Sequence, residues 1–288
     1  MASACEIVVA GADAAQLAEI GSAEVRRIEA KYSRYRPQTV VARINAQAGG
    51  DWVECDPETD ELLNVADQLY RSSGGLFDAS SGVLRKAWDF KLAQLPDADT
   101  LAQAAALVGW DRVQRRVGQV RLPMAGMEID FGGFGKEYAA DRAATAIAGA
   151  GGRHGYVNLA GDIRVFGPKP DGAPWVVGIQ DPRQADRLVA SIPLTDGALA
   201  TSGDYERYFE LDGQRYCHIL DPRSGWPVRH WRSVSVLAPQ AIGAGACATI
   251  AMLRQEDAIA FLEATGLRYL AIDWHGTIHK SNARNATS

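Results

Sequence analysis

The spacing of apolar residues along this chain predicts helices in its early part and mostly strands in its later part. Between residues 14 and 32, Leu17, Ile20, Val25, Ile28 and Ala30 recur among charged residues, as the buried face of an amphipathic helix does. A short apolar strand over residues 6–10, ended by Gly11, precedes it. The segment Ser33-Arg34-Tyr35-Arg36-Pro37 breaks the helix, and Val40 to Asn45 reads as a short helical connector. After a predicted strand at Trp52-Val53-Glu54, Asp56-Pro57 opens a second long helix. Proline suits the first helical position and aspartate the cap before it. That helix carries Leu62, Leu63, Val65, Ala66, Leu69 and Tyr70 and stops at Ser73-Gly74-Gly75. Leu84, Ala87 and Trp88 then share one side of a helical turn, and an alanine-rich helix covers residues 100–108.

From there β character dominates. Short strands lie around Val113-Gln114 and Val120-Arg121-Leu122, and another ends at Asp130 before a glycine-rich turn and a helix from about Lys136. Residues 156–165 read as two strands around a tight Ala-Gly-Asp bend, followed by strands at 175–179 and 188–192. Tyr208 and Phe209 lead through Asp212-Gly213, a strong hairpin dipeptide, into Arg215-Tyr216-Cys217-His218-Ile219. A strand at 233–239, a helix at 243–253 with small residues in its first turn, further helix at 257–263 and a strand at 269–273 complete the pattern. Predicted hairpins and segregated strands place the fold in the α+β class rather than among doubly wound sheets.

Composition narrows the function without naming it. The chain has 288 residues, which permits one or two domains. No clean linker divides it, so a single domain over 1–280, of one or two lobes, with a frayed tail over 281–288 is expected. A net charge of -5 gives no basic footprint for nucleic acid. No apolar run is long enough for a transmembrane helix. The amino end has neither a basic nor an apolar leader region, and Cys5, Cys55, Cys217 and Cys247 match no metal spacing. A reducing cytoplasmic setting is the expectation, with no membrane partner.

Three stretches carry candidate chemistry. Asp78 follows Phe77 at a glycine-led turn, where a carboxylate caps a helical turn or faces a ligand. In Met127 to Ala150, glycines at 132, 133 and 135 occupy a turn that feeds a helix, and Lys136 stands at its start. Backbone N–H groups in such a turn suit phosphate oxygens, although neither the Walker A nor the GxGxxG spacing is present. The third stretch ends a strand with His218 and Asp221, followed by Pro222, Gly225 and Pro227. Read alone, it is a hairpin with an Asp-Pro turn; among the others, it becomes a candidate site.

Taken in order, FDASSGVLRKAWDF, EIDFGGFGKEYAAD, VNLAGDIRVFG, ATSGDYERYFELDGQRYCHILDPRSGWPV and the GAGACAT helix resemble the ApbE-type FAD:protein FMN transferases. SRYRPQTVVARIN resembles that family's early block, and the likeness runs from Met1 to Ile278. The resemblance implies an α+β core that folds FAD into a cleft. It implies transfer of FMN from FAD, with magnesium, to a Ser or Thr hydroxyl of an acceptor flavoprotein, releasing AMP. His218 is then the candidate base, and Asp221 orients the site. Tyr35, Asp78, Lys136, Tyr138, Thr201, Ser202, His218 and Ile219 are the implied flavin-nucleotide contacts, with Thr201 and Ser202 lining one cleft. The implied metal positions are the carbonyl of Gly135, Thr249 and position 245.

Two positions depart from the family pattern. The late helix normally reads A-D-A-x-x-T, but Gly245 stands where the metal-binding aspartate is expected. The glycine-rich turn normally ends Ala-Lys-Gly, but here it is Gly135-Lys136-Glu137. Glu137 is therefore the candidate substitute ligand. Without one, a non-catalytic FAD carrier or sensor is the alternative; a third reading is an FAD pyrophosphatase giving FMN and AMP.

Overall fold

The computed structural model describes residues 5–281, so the tail expected to fray lies, apart from Ser281, outside the described residues. A seven-stranded antiparallel sheet organises them, in the order Cys5–Val9, Gly155–Leu159, Asp162–Phe166, Asp196–Gly203, Trp231–Ala238, Arg268–Asp273 and Ile278–Lys280. Helices and sheets are thus mixed in the α+β manner. The strand at the middle of the sheet, Asp196–Gly203, is one the hydrophobic pattern did not predict.

The helices, numbered in chain order, are α1 (Ala14–Tyr32), α2 (Val40–Ala46), α3 (Pro57–Ser73), α4 (Ala98–Ala106), α5 (Gly135–Gly149), α6 (Ala241–Arg254) and α7 (Ala258–Thr265). Local chemistry explains their ends. The Asp56 side chain accepts from Thr59 N at 3.2 Å at the start of α3, and Gly74 ends it in the left-handed region at φ 69°. The helical turn expected around Leu84 is a 3-10 segment, Ser81–Lys86.

The two faces of the main sheet are covered differently. One large core joins Ile28, Leu63, Phe134, Ile147, Val157 and Ala198, and so links α1, α3 and α5 to the sheet. A second core packs Ala248, Ala251 and Leu262 of α6 and α7 against Val234 and Val236. The opposite face meets a hairpin of Trp175–Asp181 and Gln184–Leu194, where Val177 and Ile179 cluster with Leu199, Ile163 and Leu237. Small side chains on the central strand (Ala198, Ala200, Ser202) face small side chains on α6, which allows close approach of helix and sheet.

A separate two-stranded hairpin, Tyr208–Leu211 with Gln214–Cys217, turns through Asp212 and Gly213. Their φ values of 51° and 75° are those of the turn that matches strand twist, which explains the Asp-Gly pair. Phe209 and Tyr216 of this hairpin stack at 5.1 Å and pack with Trp88. Trp88 Nε1 donates to Gly225 O at 2.8 Å and so pins the turn after His218.

Candidate active site

The seam between α5 and α6 holds a cluster of buried charges. Lys136, in the first turn of α5, is ion-paired with Asp162 and lies 3.6 Å from Glu137 Oε1. Asp162 opens the strand beside the central one, is almost fully buried, and accepts from Thr201 N at 3.2 Å. Glu137 is buried as well, and its Oε2 has no hydrogen-bond partner. Burial, reinforced by the neighbouring Asp162 carboxylate through its charge and a side-chain hydrogen bond, and only partly opposed by Lys136, raises the Glu137 carboxyl above its ordinary range. Burial works against the Lys136 ammonium, yet Glu137 and Asp162 outweigh it and raise its pKa.

Gly245 faces this glutamate from α6. A Cβ at position 245 would lie 2.6 Å from both Cγ and Oε1 of Glu137, distances that packed atoms do not tolerate. The two positions that break the family-like pattern are therefore in contact. Thr249, one turn along α6, shares its hydroxyl with Ser202 Oγ at 2.8 Å. Thr201 does not join them. Successive strand residues point to opposite faces, and its hydroxyl meets Ser235 Oγ at 2.7 Å, so the expectation that Thr201 and Ser202 line one cleft gives way. Only the Thr201 amide serves the seam, through Asp162.

His218 stands just beyond the small hairpin, with its amide bonded to Arg207 O at 3.0 Å. Its Nδ1 lies 3.3 Å from the same carbonyl. A carbonyl only accepts, so this contact keeps the proton on Nδ1 and leaves Nε2 as the proton acceptor. Burial, with Arg207, Lys136 and Arg34 adding positive charge, lowers the His218 pKa to about 4. Those cations come from three separate segments. Arg34 is held by Asp130 and donates to the Tyr35 hydroxyl at 2.9 Å. The largely exposed Tyr35 ring carries the Arg34 guanidinium 5.0 Å from its centroid. Burial works against the Tyr35 phenolate, but Arg34 and Arg207 together lower its pKa.

The glycine-rich turn owes its composition to packing. A Cβ on Gly132 would lie 3.1 Å from Asp130 Oδ2, and one on Gly133 would strike Phe77 Cζ at 2.8 Å. Gly135 is the first residue of α5, beside Lys136.

The other implied contacts are engaged elsewhere. Asp78 Oδ1 accepts from Ser80 N at 2.7 Å and Ser80 Oγ at 2.6 Å, and Oδ2 accepts from Trp110 N at 3.0 Å, so this buried carboxylate organises its own loops. Asp221 accepts from Arg223 N at 2.9 Å and from Arg223 Nη2 at 2.8 Å. Burial notwithstanding, these bonds lower its pKa, and its carboxylate shapes the Asp-Pro turn. Ile219 packs into the core with Trp231 and Val228. The Tyr138 hydroxyl donates to Glu58 Oε1 at 2.8 Å, on a side of α5 other than the one facing α6.

Sequence reasoning did not single out Asp162, Asp130, Arg34, Arg207 or Asp141. Asp162 was visible only as part of the Ala-Gly-Asp bend. Asp141 accepts from Ala241 N at 2.8 Å and Ile242 N at 2.9 Å, so α5 caps the amino end of α6 and fixes the seam. Among the described residues, no three His, Cys, Asp or Glu side chains form a ready-made metal cage.

The ApbE family model matches residues 1–271. A FAD:protein FMN transferase of Treponema pallidum (strain Nichols) is 35% identical over 238 residues, 75% of this chain and 65% of the relative. One of Rhodobacter capsulatus is 32% identical over 82% of this chain and 46% of its own length. The aligned part is thus under two thirds of each of these two relatives. Among solved structures, an ApbE protein of Thermotoga maritima superposes with a TM-score of 0.89 at 33% identity, over 96% of this chain and 93% of its own. The Pseudomonas stutzeri flavinyl transferase ApbE gives 0.84 at 28% identity, covering 97% and 90%.

Proposed function

Because the chain belongs to the ApbE family, we propose that it is an FAD:protein FMN transferase that flavinylates a Ser or Thr hydroxyl of an acceptor flavoprotein. The observation that carries this reading is His218, its Nε2 available to take a proton, where Arg34, Lys136 and Arg207 bring positive charge from three segments. A diphosphate is the ligand such a convergence suits, and a proton acceptor beside it is what hydroxyl attack requires.

In the reaction, the acceptor oxygen forms a bond to the FMN phosphorus of FAD. The P–O bond to the AMP half breaks, AMP leaves with the bridging oxygen, and the hydroxyl proton passes to His218 Nε2. The nearby cations hold the diphosphate oxygens, and Tyr35 offers an exposed ring against which a flavin or adenine can lie. Asp78 and Asp221 act at one remove, by holding the loops on which the site is built.

The partnerless Glu137 Oε2 is the kind of oxygen donor that magnesium takes. The Gly135 carbonyl, Thr249 and Glu137 would hold the ion, and position 245 would supply space rather than a ligand. When bound, magnesium supplies further charge neutralisation at the diphosphate. The carrier reading drew on Gly245 alone, and the carboxylate against that glycine weakens its premise.

We assign the enzyme to the cytoplasm. The buried free thiol of Cys217 supports this.

Incubation with FAD, magnesium and a candidate acceptor tests the reading. AMP together with an FMN mass shift on the acceptor is expected. AMP with free FMN means hydrolysis, bound FAD without AMP means a carrier, and no FAD binding overturns the assignment.

A further inference from the structure

Two departures from the family-like pattern, a glutamate in the first turn of α5 and a glycine within α6, are far apart in sequence but touch in the fold. Glu137 reaches across the seam into the volume that any side chain at position 245 would enter. A Cβ at 245 would meet three glutamate atoms within 2.9 Å, so a side chain there would require the Glu137 carboxylate to move. Conversely, the glutamate brings a carboxylate to that spot, with one oxygen near Lys136 and the other buried without a partner. A buried carboxylate oxygen left unsatisfied is costly unless something else occupies the site.

We propose that the metal-binding carboxylate of this site has crossed the α5–α6 interface. Glu137 is the cation ligand, and Gly245 is its obligatory partner because it vacates the space. The ligand is a hard divalent cation, in keeping with a carboxylate, a hydroxyl and a carbonyl as donors. The inference rests on the reading of the site as one that takes FAD and a divalent ion. Its consequence is that the two substitutions are coupled: moving both back should keep the site working, whereas moving one should not.

Mn²⁺, followed by the loss of its free electron paramagnetic resonance signal, serves as the probe on the full chain, with and without FAD. FAD binding is read separately by flavin fluorescence. E137Q keeps the shape of the side chain and removes only its charge. It is expected to fold, to melt slightly above the wild type when metal is absent, and to bind Mn²⁺ about 10–100-fold more weakly. E137G should lose a similar amount, and E137G/G245D should regain at least about tenfold of it. G245D alone should lower the melting temperature through its contact with Glu137.

Wild-type Mn²⁺ affinity in E137Q would overturn the inference. So would a wild-type protein that binds no Mn²⁺ in either condition, or a folded E137G/G245D protein no better than E137G. If the double variant fails to fold, E137Q decides. Mn²⁺ binding that depends on Glu137 in a protein that ignores FAD would sink the flavin reading and leave this one standing. FAD binding with a charge-independent Mn²⁺ affinity would do the reverse.

Discussion

Two charged clusters meet α5 on different sides, and they are built on opposite principles. Tyr138 and Arg142, one turn apart, face a cluster in which Glu58 accepts from Arg27 at 2.6 and 2.8 Å, from Lys31 at 2.6 Å and from Tyr138 at 2.8 Å. Lys31 also reaches Asp56, and Glu24 accepts from Arg27 and Arg142. Charges of both signs are matched there and water has access. Hydrogen bonds from Arg27, ahead of the opposing effect of burial, hold Glu58 well below the usual carboxylate range. Glu137 and Asp141, also one turn apart, face α6 instead. There, one lysine serves two buried carboxylates and an oxygen remains unpartnered. A network whose every oxygen is partnered stabilises the fold and has nothing left to offer a ligand. An unfinished network costs stability and is where a ligand would complete the structure.

Substitutions can break or sharpen that contrast. The largest effect is expected at His218. H218A should bind FAD but lose about 10²- to 10⁴-fold in transfer, checked by AMP release, and full activity would remove His218 from the mechanism. The same residue sets an acid limb in the ligand-free protein. Unfolded histidine takes its proton near pH 6.5, whereas the folded residue waits until about 4. Between those values the unfolded chain binds more protons, so stability should fall as pH falls through that window. H218Q should flatten that limb in urea titrations, and an unchanged slope would refute the assignment.

Next in size is D141A, which removes the cap shared by Ala241 and Ile242. It should cost about 1–2 kcal/mol in chemical denaturation, with weakened Mn²⁺ binding as α6 frays. The sharpest opposition is between E58Q and E137Q. E58Q should lower stability by about 1 kcal/mol without changing the Kd for FAD. E137Q, measured without metal, should raise it by about 1 kcal/mol, because it replaces an unpartnered buried carboxylate. Equal signs in a thermal melt would erase the distinction between the clusters.

Much of this was legible in the residues. The caps of α3, the Asp212-Gly213 turn and the amphipathic face of α1 are local signals, and each element formed where its signal lay. The central strand was not legible, because Asp-Gly-Ala-Leu-Ala-Thr-Ser-Gly has one β-branched residue, Thr201, and no aromatic one to mark a strand. It is a strand because its neighbours on both sides need a partner, and its small side chains let α6 approach. Tyr138 belongs to the implied flavin contacts only through its place in a motif. The helical period turned it toward Glu58 instead.

The seam at α5 and α6 shows the division most clearly. The sequence by itself determined that a lysine and a glutamate open one helix, that a glycine interrupts the expected pattern of another, and that a histidine ends a strand. Those are properties of neighbouring residues, and local propensity and spacing carry them. Only the tertiary structure decided that Glu137 and Gly245 occupy one volume, that Ser202 and not Thr201 turns toward Thr249, and that three cations share His218. Each of those depends on how elements distant in the chain are rotated against one another, which is set by packing over the whole sheet.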